Sequence, residues 1–192
     1  VFGKGNPNAP ILFIGEAPGA KEDEQGVPFV GAAGKQLDTL LHSIGLTLDD
    51  CYIANILKYR PPNNRDPRPD EIEAHTPFLV EQLQVIQPTI IATLGNFSTK
   101  FVLSGFSVDG MKEVDGISKL HGQPRTVRAK SQQFTVFPLY HPAAMLYRRA
   151  LTESMREDFR KMGEFLLCHL EDVEHIRRAL SAHAKDSQTT LV

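Results

Sequence analysis

Four polar residues of this chain carry functional groups that active sites use. Glu16, Asn55, Asn96 and His141 each lie at or just after the end of a short apolar run. A carboxylate, two amides and an imidazole can transfer protons, orient a water molecule or hydrogen-bond to a polar ligand. If the runs are neighbouring parallel strands, their carboxyl ends meet at one edge of the sheet, where open α/β sheets bind ligands. The sequence therefore predicts one cleft that brings these side chains together.

The apolar runs themselves have the length of buried β-strands. They are PILFIG, CYIANIL, TIIATLG and FTVFPLY, at 10–15, 51–57, 89–95 and 134–140. Each is unbroken rather than alternating, as expected for strands covered on both faces, and helical spacing occurs between them. This alternation predicts an α/β fold, a three-layer α/β/α sandwich with a central four-stranded parallel sheet. Residues 106–133 are irregular and Gly-rich, and they fit a hairpin outside that pattern.

The length of 192 residues fits one domain, which we place at 1–180, followed by a polar tail at 181–192. The net charge of −2 does not favour a strongly basic nucleic-acid binder, although the segment 58–68 is locally basic. No run is long enough for a membrane helix. The two cysteines, Cys51 and Cys168, do not make a disulfide framework, so we expect a cytoplasmic protein.

The motifs at the strand ends resemble those of the uracil-DNA glycosylase superfamily, and most closely those of its family 4. They are GEAPG followed by ED, GVPFVGAAG, NILKYRPPNNRDP and HPAAML, and together they extend over nearly the whole chain. Members of this superfamily have the predicted three-layer fold and hydrolyse the N-glycosidic bond of uracil in DNA after flipping the base out of the stack. The resemblance implies uracil-containing DNA as the partner, free uracil as a product and an abasic site in the DNA.

The resemblance also implies a base pocket. Phe29 matches the family's stacking residue, and Asn55 matches the amide that can donate one hydrogen bond to uracil and accept another. Gly15 and Ala17, in the GEAPG loop, are expected to contact the base. The alternatives are a phenylalanine that fills the core and an asparagine that only ends a strand. Asn96 fits a helix N-cap better than a pocket residue.

Two residues match positions that the family uses in breaking the glycosidic bond. His141 in HPAA matches the histidine that hydrogen-bonds O2 of the departing uracil, where negative charge develops. Glu16 is the first candidate for a carboxylate that orients water and offsets positive charge on the sugar, and Glu22 and Asp23 are the reserve candidates. The alternative for His141 is a histidine that caps a strand.

Two further sets of residues are expected to contact DNA. Met145 occupies the position of an apolar wedge that fills the space left by the flipped base, and Leu146 lies beside it. Basic side chains are candidates for phosphate binding, with a solvated surface charge as the alternative for each. They are Arg60, Arg65, Arg148 and Arg149.

This sequence departs from the family 4 pattern at the cofactor. Typical members bind an iron–sulfur cluster through four cysteines. Two of those positions hold Tyr59 and His75 here, and the other two fall before Val1. Cys51 and Cys168 occupy neither of the two positions within the chain. We therefore expect no cluster, no metal and no other cofactor.

Together these features predict a monofunctional uracil-DNA glycosylase that acts as a monomer. The alternative is a non-catalytic member of the superfamily that binds uracil-containing DNA but releases no base. A phosphate-binding loop is disfavoured, because the acidic segment 15–26 lacks the Gly-x4-Gly-Lys-Ser/Thr pattern.

Overall fold

The structure, a computed structural model, describes residues 1–129, 132–169, 174, 176 and 178–182. From residue 183 onward the predicted tail lies outside this described part, so the domain boundary at residue 180 stays a prediction. Among the described helices, none combines the length and the apolar composition needed to cross a bilayer.

A six-stranded sheet forms the centre of the protein. Its strands are β1 (Lys4–Gly5), β2 (Ile11–Gly15), β3 (Cys51–Asn55), β4 (Ile90–Leu94), β5 (Arg125–Ala129) and β6 (Gln132–Leu139). They lie in the order β1-β3-β2-β4-β6-β5. The four inner strands are parallel, and β1 and β5 pair with their neighbours in the antiparallel direction.

The prediction of an α/β fold is confirmed, and its four parallel strands are all present. The predicted strand count was too low, because two antiparallel strands lie at the edges of the sheet. β1 has only two residues, and β5 has an exposed face, so neither contains an unbroken apolar run. β5 pairs with β6 in the antiparallel direction, so a hairpin begins in the region 106–133 as expected, but its second strand extends beyond that region to Leu139.

Helices cover both faces of the sheet. Their bounds are α1 (Ala20–Gln25), α2 (Ala32–His42), α3 (Pro69–Ile86), α4 (Asn96–Leu103), α5 (Ile117–Leu120), α6 (Ala144–Tyr147) and α7 (Thr152–His169). Apolar side chains of α2 and α7 pack on one face, and those of α3 and α4 pack on the other. Successive residues of β2 point to opposite faces, so Phe13 packs in the first core and Leu12 in the second. This arrangement is the predicted three-layer sandwich.

The parallel register sets the positions of the candidate site residues. Gly15, the last residue of β2, lies directly beside Asn55, the last residue of β3. His141 follows the end of β6, and a Cβ atom on Gly95, between β4 and α4, would lie 3.2 Å from the His141 Cβ. The strand ends are therefore adjacent, as the sequence predicts for parallel strands.

Candidate active site

A cleft of about 410 Å³ lies at the carboxyl ends of the parallel strands. This volume falls within the range of small-molecule pockets. Eight of the predicted site residues line it: Glu16, Ala17, Glu22, Phe29, Asn55, Arg65, His141 and Leu146. Most of the predicted site residues therefore lie in one cavity.

Asn55 is buried against the back of the cleft, with an exposed fraction of 3%. Its Oδ1 atom has no hydrogen-bond partner among the described residues. An unpaired buried acceptor is costly, so this oxygen suits a ligand that donates a hydrogen bond. A Cβ atom on Gly15 would collide with this oxygen and come within 3.1 Å of the Phe29 ring, so glycine is required there.

Lys58, which was not among the predicted site residues, supports the end of β3. Its Nζ donates to the main-chain oxygen of Asn55 at 2.8 Å and to Oε1 of Gln82 at 2.6 Å. Burial lowers the pKa of Lys58 to about 8. In the sequence, the signal for this contact was that Lys58 lies three residues after Asn55. Only the fold shows that the amine turns back toward the strand.

Phe29 and His141 lie on the same side of the cleft. Their ring centroids are 5.8 Å apart, and the ring planes are inclined by 30°. Phe29 is mostly buried and has a φ of 53°, in the left-handed region that bulky residues rarely adopt. One flat ligand in the cleft could therefore contact the face of the phenyl ring and the edge of the imidazole.

The hydrogen bonding of His141 defines the tautomer. Its Nδ1 accepts a hydrogen bond from the main-chain N–H of Ala143 at 3.2 Å, which leaves the ring proton on Nε2. Burial lowers the pKa of His141 to about 4, although the negative charge of Glu22 acts in the opposite direction. At neutral pH the side chain is therefore an uncharged imidazole with one N–H donor.

The two carboxylates that line the cleft have different surroundings. Burial, with a contribution from the charge of Asp66, raises the pKa of Glu16 to about 7. Glu22 accepts hydrogen bonds through Oε1 from the main-chain N–H groups of Val30 and Gly31, at 3.0 and 2.7 Å. Asp23, the other reserve candidate, is exposed and does not line the cleft. Glu16 is thus the carboxylate whose protonation changes near neutral pH.

The predicted DNA-contacting residues at 145–149 differ in burial and in whether they line the cleft. Leu146 has an exposed fraction of 42% and lines the cleft, whereas Met145 packs against the core. Arg148 and Arg149 are exposed and outside the cleft. Tyr147, which was not among the predicted site residues, is 83% exposed and also lines the cleft.

The remaining two arginines have partners within the protein. Arg65 donates to both carboxylate oxygens of Glu71, and Arg60 donates through Nε to Oδ1 of Asn64 at 2.7 Å. The roles of these arginines in DNA binding stay predictions.

The prediction that Asn96 caps a helix was wrong. Gly95 is the N-cap residue of α4, and it makes no side-chain capping bond. Asn96 instead accepts a hydrogen bond through Oδ1 from the main-chain N–H of Ile117 at 3.1 Å. This long-range contact attaches the start of α5 to α4, and nothing in the local sequence indicated it.

Comparison with known proteins identifies the family. The sequence profile of the uracil DNA glycosylase superfamily matches residues 2–166. The chain belongs to this superfamily. It is 48% identical over 164 residues to a type-4 uracil-DNA glycosylase of Archaeoglobus fulgidus, covering 85% of this chain and 80% of that protein. The type-4 enzyme of Sulfurisphaera tokodaii is 46% identical over 168 residues (87% and 74%), and that of Thermotoga maritima is 38% identical over 168 residues (86% and 82%).

In this superfamily member, Tyr59 and His75, the two residues expected at cluster cysteine positions, have contacts within the protein. The rings of Tyr59 and His75 meet edge to face with centroids 4.9 Å apart. The Tyr59 hydroxyl donates to Glu71 at 3.0 Å, and Nδ1 of His75 accepts from the main-chain N–H of Lys58 at 2.7 Å. A phenol and an imidazole that make these hydrogen bonds do not fit a cluster held by four thiolates.

The two cysteines do not fit such a cluster either. Cys51 begins β3, about 13 Å along the strand from its carboxyl end. Its thiol donates to the main-chain oxygen of Thr47, and burial raises its pKa, so it stays protonated. Cys168 is exposed on α7. Within the described part of the chain, no group of three or more His, Cys, Asp and Glu residues is placed to hold a metal ion.

Proposed function

We propose that this protein is a DNA repair glycosylase, which hydrolyses the N-glycosidic bond of uracil in DNA, releases free uracil and leaves an abasic site. The observation that carries this proposal is the meeting of Phe29, Asn55 and His141 around one cleft. Membership of the superfamily and the type-4 relatives support it. Phe29 and Asn55 are buried, so a base from duplex DNA would have to flip out of the stack to reach them.

Asn55 supplies the selectivity for uracil in this proposal. Its unpaired Oδ1 would accept the N3–H of uracil, and its Nδ2 would donate to O4. Cytosine presents an amino group and an N3 without hydrogen at the same places, so both contacts would be lost. Buried polar groups left unpaired by the wrong ligand are an effective basis for discrimination.

His141 and Glu16 carry the chemistry. As the glycosidic bond breaks, negative charge builds on O2 of the uracil, and the Nε2–H of neutral His141 would donate to that oxygen. Glu16 in its ionised form would orient the attacking water and offset the positive charge on the sugar. The bond electrons leave with the uracil, and water adds to the sugar carbon. The proton that the water loses balances the negative charge of the departing uracil.

Leu146 is the better candidate for the wedge, since Met145 is committed to packing against the core. An apolar side chain placed between base pairs offsets part of the cost of unstacking. Exposed Tyr147 and Arg148 adjoin Leu146 along the chain, and they suit contacts to the strand on either side of the flipped nucleotide.

We further propose a monofunctional reaction by a monomer that uses no metal or other cofactor. Strand cleavage by a glycosylase requires an amine nucleophile that forms a Schiff base with the sugar. Within the part of the chain that the structure describes, no lysine lines the cleft. This supports hydrolysis by water without strand cleavage.

The test is incubation with a uracil-containing oligonucleotide, followed by hot alkali to cleave abasic sites and by direct measurement of free uracil. We expect the wild type to release uracil. His141→Ala should lose about 100-fold or more of the rate, as when an oxyanion donor is removed. Asn55→Ala should lose about tenfold or more of kcat/KM, since it removes the base contacts.

The matched control is His42→Ala, which removes an exposed histidine of α2 and should leave the rate unchanged. Salt-dependent binding of uracil-containing DNA without any released base would instead identify a non-catalytic binding protein and overturn the proposal.

A further inference from the structure

Glu22 is the carboxylate of the cleft that the proposed chemistry does not use. It lies on α1, whose other residues are all exposed to solvent. Glu22 is partly buried and lines the cleft together with Phe29 and His141. A short helix that turns one acid inward toward the candidate site raises the question of what that acid does there.

The hydrogen bonds of Glu22 are directed at the residues that follow Phe29. Its Oε1 accepts from the N–H of Val30 at 3.0 Å and from the N–H of Gly31 at 2.7 Å. Gly31 is the N-cap residue of α2, where main-chain N–H groups lack partners within the helix and where negative charge is favourable. Both bonds are charge-assisted, which makes them stronger than bonds between neutral groups.

Two glycines permit this close approach of the carboxylate. A Cβ atom on Gly19 would lie 2.7 Å from Oε2 of Glu22, and one on Gly31 would lie 3.0 Å from Oε1. Side chains at these positions would push the carboxylate away from the main chain. Part of the glycine-rich composition of residues 15–34 is therefore explained by room for Glu22.

Phe29 needs such support because its main chain is strained. A φ of 53° places it in a region that phenylalanine rarely occupies, and such conformations persist only where the surroundings enforce them. We propose that Glu22 is a positioning residue, whose carboxylate holds residues 29–31 so that the Phe29 ring faces the flipped base. This inference rests on the proposed function, and it removes Glu22 from the candidates for orienting water.

The first test is amide hydrogen exchange at Val30 and Gly31 in isotope-labelled protein, measured by NMR. Glu22→Ala should speed exchange at both amides about tenfold or more, because it removes their acceptor. Glu22→Gln keeps a neutral oxygen acceptor, so its exchange rates should fall between those of the wild type and Glu22→Ala. The matched control is Glu24→Ala, an exposed acid of the same helix, which should leave both rates unchanged.

The second test is kinetic. Glu22→Ala should raise KM for uracil-containing DNA and the inhibition constant of free uracil about tenfold, with a smaller change in kcat, because base stacking is lost. Glu22→Gln should recover most of this loss. A residue that only stabilised the fold would lower the melting temperature without weakening uracil binding by the folded protein.

Three results would overturn the inference. They are unchanged amide exchange in Glu22→Ala, unchanged uracil binding in that variant, or a loss of kcat in Glu22→Gln as large as in Glu22→Ala. The last result would identify Glu22 as the group that orients water, because glutamine cannot act as a base. If the wild type releases no uracil, the proposed function fails, while the exchange experiment still decides whether Glu22 holds the loop.

Discussion

Burial shifts the pKa values of Glu16 and His141, the two residues proposed to carry out the chemistry, in opposite directions. It raises the pKa of Glu16 to about 7 and lowers that of His141 to about 4, since a low dielectric disfavours the charged form of each. At neutral pH the imidazole is therefore uncharged, whereas the carboxyl group is divided between its two protonation states. Of these two residues, only Glu16 changes its protonation state near neutrality.

This difference predicts the acid limb of the pH profile. Glu16 loses its charge as the pH falls through about 7, so kcat/KM should decrease about tenfold per pH unit well below that value. The measurement is kcat/KM for uracil release between about pH 3 and 9, a range that covers the pKa values of both Glu16 and His141. Glu16→Gln should be slow and lack this limb, and Glu24→Gln should retain it. An acid limb centred near pH 4 would instead implicate His141.

At the scale of elements, Glu71 connects the loop after β3 to the start of α3. The main-chain N–H of Arg68 donates to it at 2.9 Å, in addition to the Tyr59 hydroxyl and the Arg65 guanidinium. The Arg65 guanidinium holds the pKa of Glu71 well below its usual range. This network fixes a loop that lines the cleft through Asn64 and Arg65.

We therefore expect Glu71→Gln to weaken this loop. The melting temperature should fall by about 2–4 °C, the shift that the loss of one modest interaction causes in a chain of this size. Glu73→Gln changes an exposed acid of the same helix and should leave the melting temperature unchanged. Thermal unfolding followed by circular dichroism measures both variants, and equal melting temperatures would contradict the structural role of Glu71.

The same network predicts that the protein has no iron–sulfur cluster. If Glu71, Tyr59 and His75 hold this loop, the purified protein should contain far less than one equivalent of iron and should keep its melting temperature in the presence of a chelator. Stoichiometric iron, lost together with stability on chelation, would show that a cluster is present after all.

At the scale of the whole molecule, the sequence was most informative where both faces of an element are buried. β2 and β4 are buried along their whole length, so their apolar runs predicted strands, their parallel direction and the sheet edge where the candidate site lies. β5 exposes alternate residues, and its pairing with β6 depends on tertiary contacts. Side-chain interactions such as the hydrogen bond from Arg65 to Glu71 depend on distances in the folded protein, which a sequence motif does not specify.

The exposed position of Leu146 beside the cleft predicts a difference between duplex and single-stranded DNA. Leu146→Ala should slow uracil release from duplex DNA more than from single-stranded DNA, because only the duplex has a stacked gap to fill. The ratio of the two rates is the measurement. Phe78→Ala removes an exposed aromatic side chain of α3 that does not line the cleft, and it should leave that ratio unchanged. An unchanged ratio in Leu146→Ala would exclude the wedge role.

The burial of Cys51 has a practical consequence. Its thiol is protonated and enclosed at the base of the sheet, whereas Cys168 is exposed, so alkylating reagents and mild oxidants should modify only the latter. Neither sulfur lines the cleft. A thiol-reactive fluorophore should therefore label Cys168 without any engineered cysteine and leave base release intact.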